Sequence, residues 1–339
     1  MKVLNRQQVY NEERRIQNEW AKRDFEREKM LEGVYRESID RIQKQIDDYY
    51  LSYAGRNGLT RAEANKRIKD FDVPKWAKKA AQAVEEKDFS PYTNEWLRTY
   101  NSKMYISRAE LLKAELEIEL QNMYSKENAI MAEHFTNEAL DELRRQAGIL
   151  GNSSTGSVER AKRIVDADFY GTNFSERIWG RNGHYDQTRK ELFGSLNRMY
   201  TDMNGYRAER KRLMDKFQTT EYEAMRLLRT ESARIRANAE LESAKQHEAT
   251  HYIYIAEPKA CDLCSQFDGI AFKLEDADMG VNYPILHPNC RCGTRGHIMM
   301  EYKDGRTTLD EFEVVEDFHS WYDERQQVLK FNSGVPDNY

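Results

Sequence analysis

Cys261-Asp-Leu-Cys264 and Pro284-Ile-Leu-His-Pro-Asn-Cys-Arg-Cys292 hold all 4 cysteines of the chain, and they decide how its C-terminal part is read. Two ligand pairs separated by about 25 residues let one divalent ion clip two turns together. The intervening stretch carries Asp268-Gly269 and Pro284, residues that turn a chain sharply. It reads as a small, loop-rich module with too little apolar surface to hold itself together unaided. The reading is a structural metal site, with Zn2+ as the metal because thiolate-rich tetrahedral sites favour it. The expected ligands are Cys261, Cys264, Cys290 and Cys292, with His287 as a substitute ligand or as an outer hydrogen-bond donor. Two disulfides and four free thiols are the competing readings. The opening residues, Met1-Lys-Val-Leu-Asn-Arg-Gln-Gln, lack the apolar core of a secretory signal, which argues against the disulfides.

Working outward, composition sets the fold class. Charged residues make up 33% of the 339 residues and hydrophobic ones 39%, with a net charge of -5. Mean hydropathy is -0.91, and no run of apolar residues is long enough to span a bilayer. The negative balance provides no general attraction for nucleic acid, although Arg207 to Arg212 is locally basic. Only 6 prolines and 17 glycines interrupt the chain, so long helices are expected.

Leu31, Val34, Tyr35, Ile39, Ile42, Ile46, Tyr49, Tyr50 and Tyr53 recur at helical spacing and stop before Gly55-Arg-Asn-Gly58. Thr60-Arg-Ala-Glu63 has the form of a capping box and opens a short helix that ends at Val73-Pro74. Ser107-Arg-Ala-Glu110 and Thr220-Glu-Tyr-Glu223 read as two more helix starts, the second for a helix running to about Gln246. Gly151-Asn-Ser-Ser-Thr-Gly-Ser157 reads as a linker. Beyond Gln246 the period changes. His251 to Ile255, Ala271 to Leu274 and His297 to Tyr302 look like short strands. Thr308-Leu-Asp-Glu311 reads as the cap of a last helix containing Phe312, Phe318, Trp321 and Tyr322, and the tail after Phe331 is expected to be disordered. The chain is therefore expected to be mainly α, with a long-helix region over 1–150, a linker over 151–157 and a module over 158–305. Within the module, helices run to about residue 246 and a Cys-rich α+β part covers 250–305. A helix and tail over 306–339 complete the expected order.

Arg229-Thr-Glu231, Cys261-Asp-Leu-Cys264, Phe267-Asp-Gly269 and His287-Pro-Asn-Cys-Arg-Cys292, in that order, resemble the MuF-like family of phage minor head proteins. The resemblance covers roughly residues 160–305, and the His287–Cys292 run is its most specific part. It implies a structural protein of a tailed bacteriophage capsid, associated with the portal vertex and acting in head assembly or in DNA packaging or ejection. It implies the portal protein as partner, with other capsid or scaffold proteins and phage DNA, bound without sequence specificity, as further partners. The implied location is the virion, and the host cytoplasm during assembly. Residues 1–150 carry no motif of this family.

One rival class is an enzyme, a zinc-stabilised nuclease with His287 and His297 cast in the water-activating and metal-holding parts; another, compatible with the head-protein reading, is a DNA-binding protein acting on the phage genome without sequence specificity. Against an enzyme, His287 is followed directly by Pro288, and no His-x-Glu precedes a Pro-Cys-x-x-Cys as in the base deaminases. A glycine loop of the P-loop type is also missing. The expectation is a protein without enzymatic turnover.

Overall fold

The computed structural model describes residues 5–53, 91–150, 157–169, 171–201 and 205–333, together with Lys78 and Gln82. The Gly55–Gly58 break, the Thr60–Glu63 box, Val73-Pro74 and the linker up to Gly156 lie outside the described residues. Ser157 opens a helix.

Helices dominate, as the composition requires. They are α1 (Arg6–Tyr53), α2 (Pro91–Leu150), α3 (Ser157–Asp166), α4 (Phe174–Trp179), α5 (His184–Thr201) and α6 (Tyr206–Gln246). Among the described residues none is long and apolar enough to cross a membrane. Four short strands follow: β1 (His251–Ile255), β2 (Ile270–Lys273), β3 (Gly293–His297) and β4 (Glu313–Val315). A single helical turn, α7 (Asp262–Ser265), joins β1 to β2, and α8 (Phe318–Ser333) closes the order.

The chain divides into two compact units. One comprises residues 30–129 and 175–224. Its helices bury matched apolar stripes: Leu31, Tyr35 and Ile42 of α1, Leu116, Leu120 and Met123 of α2, Leu192 of α5, and Leu213 and Phe217 of α6. A polar thread crosses this core. The buried Glu127 carboxylate accepts from Tyr35 Oη at 2.7 Å and meets His184 Nδ1 at 2.8 Å. Tyr124 Oη donates to Thr188 Oγ1 at 2.7 Å. Each group of this thread thereby has a partner, which a helical core needs in order to tolerate it.

The other unit draws on residues 1–29, 130–174 and 225–339. Its sheet has the order β3-β1-β2-β4, antiparallel except for the parallel β2–β4 pair. All five residues of β1 are buried because it is a central strand covered on both faces. Tyr252 and Tyr254 point into one core with Phe267, Phe272, Cys264, Cys290 and Cys292. Ile253 and Ile255 point into the other, with Val9 and Tyr10 of α1 and with Leu309 and Phe312. The N-terminal turns of α1 therefore serve as the lid of the sheet. Gln17 Nε2 donates to Ile255 O at 3.0 Å, and Arg295 Nη1 reaches Glu12 at 2.6 Å.

An ion network lies beneath the sheet. Arg236 is 5% exposed; it donates to both oxygens of Asp24, at 2.6 and 3.2 Å, and to Glu138 at 2.5 Å. Arg23 pairs with the same Glu138, and His134 Nε2 lies 3.0 Å from Asp24. The Trp20 ring is flanked by the guanidinium groups of Arg145 and Arg236 at 5.6 and 5.2 Å.

The structure corrects several local readings. The expected strand over 297–302 lies earlier, at Gly293–His297, because β1 pairs with the residues that directly follow Cys292. Thr308–Glu311 does not cap a helix. Thr308 Oγ1 is taken by His297 Nε2 and Met300 N, and the chain then enters β4. The last helix starts at Phe318, where Asp317 Oδ1 accepts from the amides of His319 and Ser320. Ser107–Glu110 and Thr220–Glu223 lie inside α2 and α6. Thr220 Oγ1 donates back to the Lys216 carbonyl at 3.0 Å, as a mid-helix threonine does. Helix α8 extends to Ser333, so the first residues after Phe331 are helical, and the remainder lie outside the described residues.

Candidate metal centre

Short range folding explains how the donors converge. Cys261 is the N-cap of α7, and the single turn that follows places Cys264 on the same side three residues on. Opposite, Asn289 adopts a left-handed φ of 65°, which asparagine tolerates better than most residues, and Cys290 N donates to His287 O at 3.1 Å. This tight loop turns His287, Cys290 and Cys292 toward α7.

The sulfur and nitrogen atoms fall into two triads that share Cys264. One is Cys261, Cys264 and His287; the other is Cys264, Cys290 and Cys292. His287 Nε2 lies 3.2 Å from each of the sulfurs of Cys261 and Cys264, and Cys264 Sγ lies 3.8 Å from Cys290 Sγ. Sulfurs on a tetrahedral Zn2+ with bonds of about 2.3 Å stand about 3.8 Å apart, so the last separation already matches a shared ion. The structure contains no disulfide: all four cysteines are free, with Cys264, Cys290 and Cys292 buried and Cys261 exposed.

Two further observations fit a metal. His287 Nδ1 donates to the Pro288 carbonyl at 2.8 Å, so in the neutral ring Nε2 is the lone-pair nitrogen facing the sulfurs, and in the protonated ring it donates to them. A ligating histidine needs that tautomer, fixed by that kind of outer hydrogen bond. Tyr254 is fully buried, and its hydroxyl has no hydrogen-bond partner of good geometry. Burial raises its ionisation well above the usual phenol range, and the sulfurs of Cys292, Cys290 and Cys264 beside it raise it further, so it stays a proton donor. Without a cation the thiols oppose one another. The sulfurs of Cys290 and Cys292 push Cys264 up, while hydrogen bonds from Cys264 and Cys292 pull Cys290 down. A bound dication removes the conflict by accepting every sulfur as thiolate. The cluster is thus a donor set that could bind a metal.

The Arg229-Thr-Glu231 tripeptide braces this centre. Arg229 holds Glu28 with two bonds, at 2.5 and 3.0 Å, and reaches Asn289 Oδ1 at 3.4 Å. Thr230 Oγ1 donates to Arg226 O and accepts from Asn289 N at 3.1 Å. Glu231 anchors the fully buried Arg234, which donates to the carbonyls of Ile164 and Val165 at the end of α3. Sequence reasoning singled out the tripeptide but not its task, and it missed Tyr254, Asn289 and Glu28. Replacing Arg229 by methionine leaves Glu28 without its cation and frees the Asn289 loop. Zinc affinity is then expected to fall about tenfold, as when outer partners of a metal site are removed. Competition titration against a chromophoric chelator checks this, and an unchanged affinity would remove Arg229 from the support of the centre.

No curated protein and no solved structure matches the chain. Residues 202–295, which include Arg229-Thr-Glu231 and all five candidate ligands, match the model of the family described as Phage Mu protein F like protein, the family its sequence motifs resemble.

Proposed function

We propose that this chain is a structural minor head protein of a tailed bacteriophage, seated at the portal vertex and acting in head assembly or in DNA packaging or ejection. The observation that carries the reading is the family match over residues 202–295, whose motif residues come together as one braced cluster. Within that role the cluster holds one Zn2+ through Cys261, Cys264, Cys290 and Cys292, with His287 as the alternative ligand or outer donor. The ion supplies rigidity between α7 and the Asn289 loop. The portal protein is the principal partner, through the long helices, with other capsid or scaffold proteins and sequence-nonspecific contact with phage DNA as further interactions. The protein acts in the virion, after assembly in the host cytoplasm.

A nuclease reading finds no base to use at this centre. His287 has its Nδ1 on the Pro288 carbonyl and its Nε2 on the sulfurs. His297 Nε2 is tied to Thr308 Oγ1, and burial lowers its pKa to about 4. Co-expression with the portal protein, followed by size-exclusion chromatography at moderate salt, tests the reading. Co-elution and presence in purified virions are expected. Absence from virions together with separate elution would overturn it. Metal-dependent DNA cleavage abolished by His287→Ala in a folded protein would promote the nuclease instead.

A further inference from the structure

We infer that Tyr254 is a hydrogen-bond donor to the metal-bound thiolates, and that its hydroxyl tunes how firmly the centre holds its ion. The inference rests on the metal reading above and adds to it a residue that no motif contains.

Tyr254 lies in the central strand β1, with no exposure to solvent. Its ring packs against Phe267 with centroids 5.4 Å apart, and it shares a core cluster with Cys264, Cys290 and Cys292. The hydroxyl has no partner of good geometry. Leaving a hydroxyl unpaired in an apolar core is unfavourable, and phenylalanine would fill the same space without that cost. A tyrosine here therefore calls for an acceptor. Neutral thiols are weak acceptors, whereas a thiolate carries negative charge and accepts a charge-assisted hydrogen bond. Cys264, Cys290 and Cys292 share its cluster and act on the hydroxyl, so it is matched to the loaded, ionised cluster and mismatched to the metal-free one.

Tyr252 provides an internal contrast. It sits two residues earlier on the same face of β1, equally buried, but its hydroxyl donates to the Asn282 carbonyl at 3.2 Å. That bond does not depend on metal.

Two variants and two readouts test the inference on the full chain. In competition with a chromophoric chelator, Tyr254→Phe is expected to bind Zn2+ about tenfold more weakly than the native protein. Loaded with Co2+, it is expected to show its sulfur-to-cobalt charge-transfer band at longer wavelength, because a sulfur without the hydrogen bond gives up electron density more easily. Tyr252→Phe is expected to leave both the affinity and the band in place, although it loses a structural bond. If Tyr254→Phe titrates and absorbs like the native protein, the hydroxyl does not address the thiolates and the inference falls. The same result follows if Tyr252→Phe shifts the band equally, since the effect is then general to the sheet. Failure of the native protein to bind either ion would instead remove the metal reading on which both rest.

Discussion

Cys264→Ser is expected to abolish zinc binding and to open residues 250–305 to hydrogen exchange, while the helices over 30–129 stay protected. Cys264 is the one donor common to both triads, and it is 1% exposed. Serine places a shorter, harder oxygen there and leaves each triad with two ligands. Because the ligands are gathered only in the folded chain, the binding free energy of the ion adds directly to folding. Structural zinc supplies about 10–16 kcal/mol to small zinc-finger peptides, and even a part of that is large beside the stability of an ordinary domain. The loss stays within the unit that holds the sheet, because the helices of the other unit bury a core of their own, with Leu31, Tyr35, Leu116 and Leu120 in it. Cys261→Ser, at the exposed corner, is expected to weaken binding less than Cys264→Ser does. Metal analysis and exchange mass spectrometry read both effects. Full zinc content and unchanged protection in Cys264→Ser would show that the thiols are not structural.

Arg236→Met is expected to destabilise the protein by about 3–5 kcal/mol, the usual effect of removing one partner from a buried ion pair. Asp24 would be left with His134, and Glu138 with Arg23, both carboxylates being almost fully buried. Burial pushes the Asp24 carboxyl up, but Arg236 outweighs it and, with His134, holds its pKa at about 2. A pKa held below its unfolded value of 3.8 contributes stability that is present above about pH 4. That contribution, about 2 kcal/mol, is lost as pH falls from about 4 to about 2. In Arg236→Met the Asp24 carboxyl titrates at higher pH, so acid unfolding is expected to begin earlier. Urea unfolding at pH 7 and at steps down to pH 2 measures both effects. An unfolding midpoint unaltered by the substitution would mean that the network is no more than a replaceable filling of the core.

How much of this was legible depended on range. Strand β1 could be read within one residue because His251-Tyr-Ile-Tyr-Ile255 is β-branched and aromatic throughout. The cysteine spacing indicated the cluster, since a Cys-x-x-Cys on one helical turn and a Cys-x-Cys after a tight loop need only local geometry. The bracing of the centre was hidden. Arg229 finds Glu28 some two hundred positions earlier and Asn289 sixty positions later, and no local pattern marks either. The misread capping boxes have a common cause. A threonine three residues before a glutamate is also an ordinary spacing inside a helix, as at the buried Thr220, or a turn anchor, as at Thr308. Strand β4 was missed because three residues whose register is set by β2 leave almost no periodicity to read.

The lid that α1 places over the sheet also bears on synthesis. Val9 and Tyr10 leave the ribosome more than two hundred residues before the strand they cover, at Ile253 and Ile255, is made. At about 5–20 residues per second that interval is on the order of ten seconds or more, far longer than a helix needs to form. For that time the apolar stripe of α1 has no sheet to meet. Contacts so distant in sequence are also the slow ones to close once both ends exist. The nascent chain thus carries an early-made surface awaiting a late-made partner, which makes the period before release the point at which a chaperone can act on it.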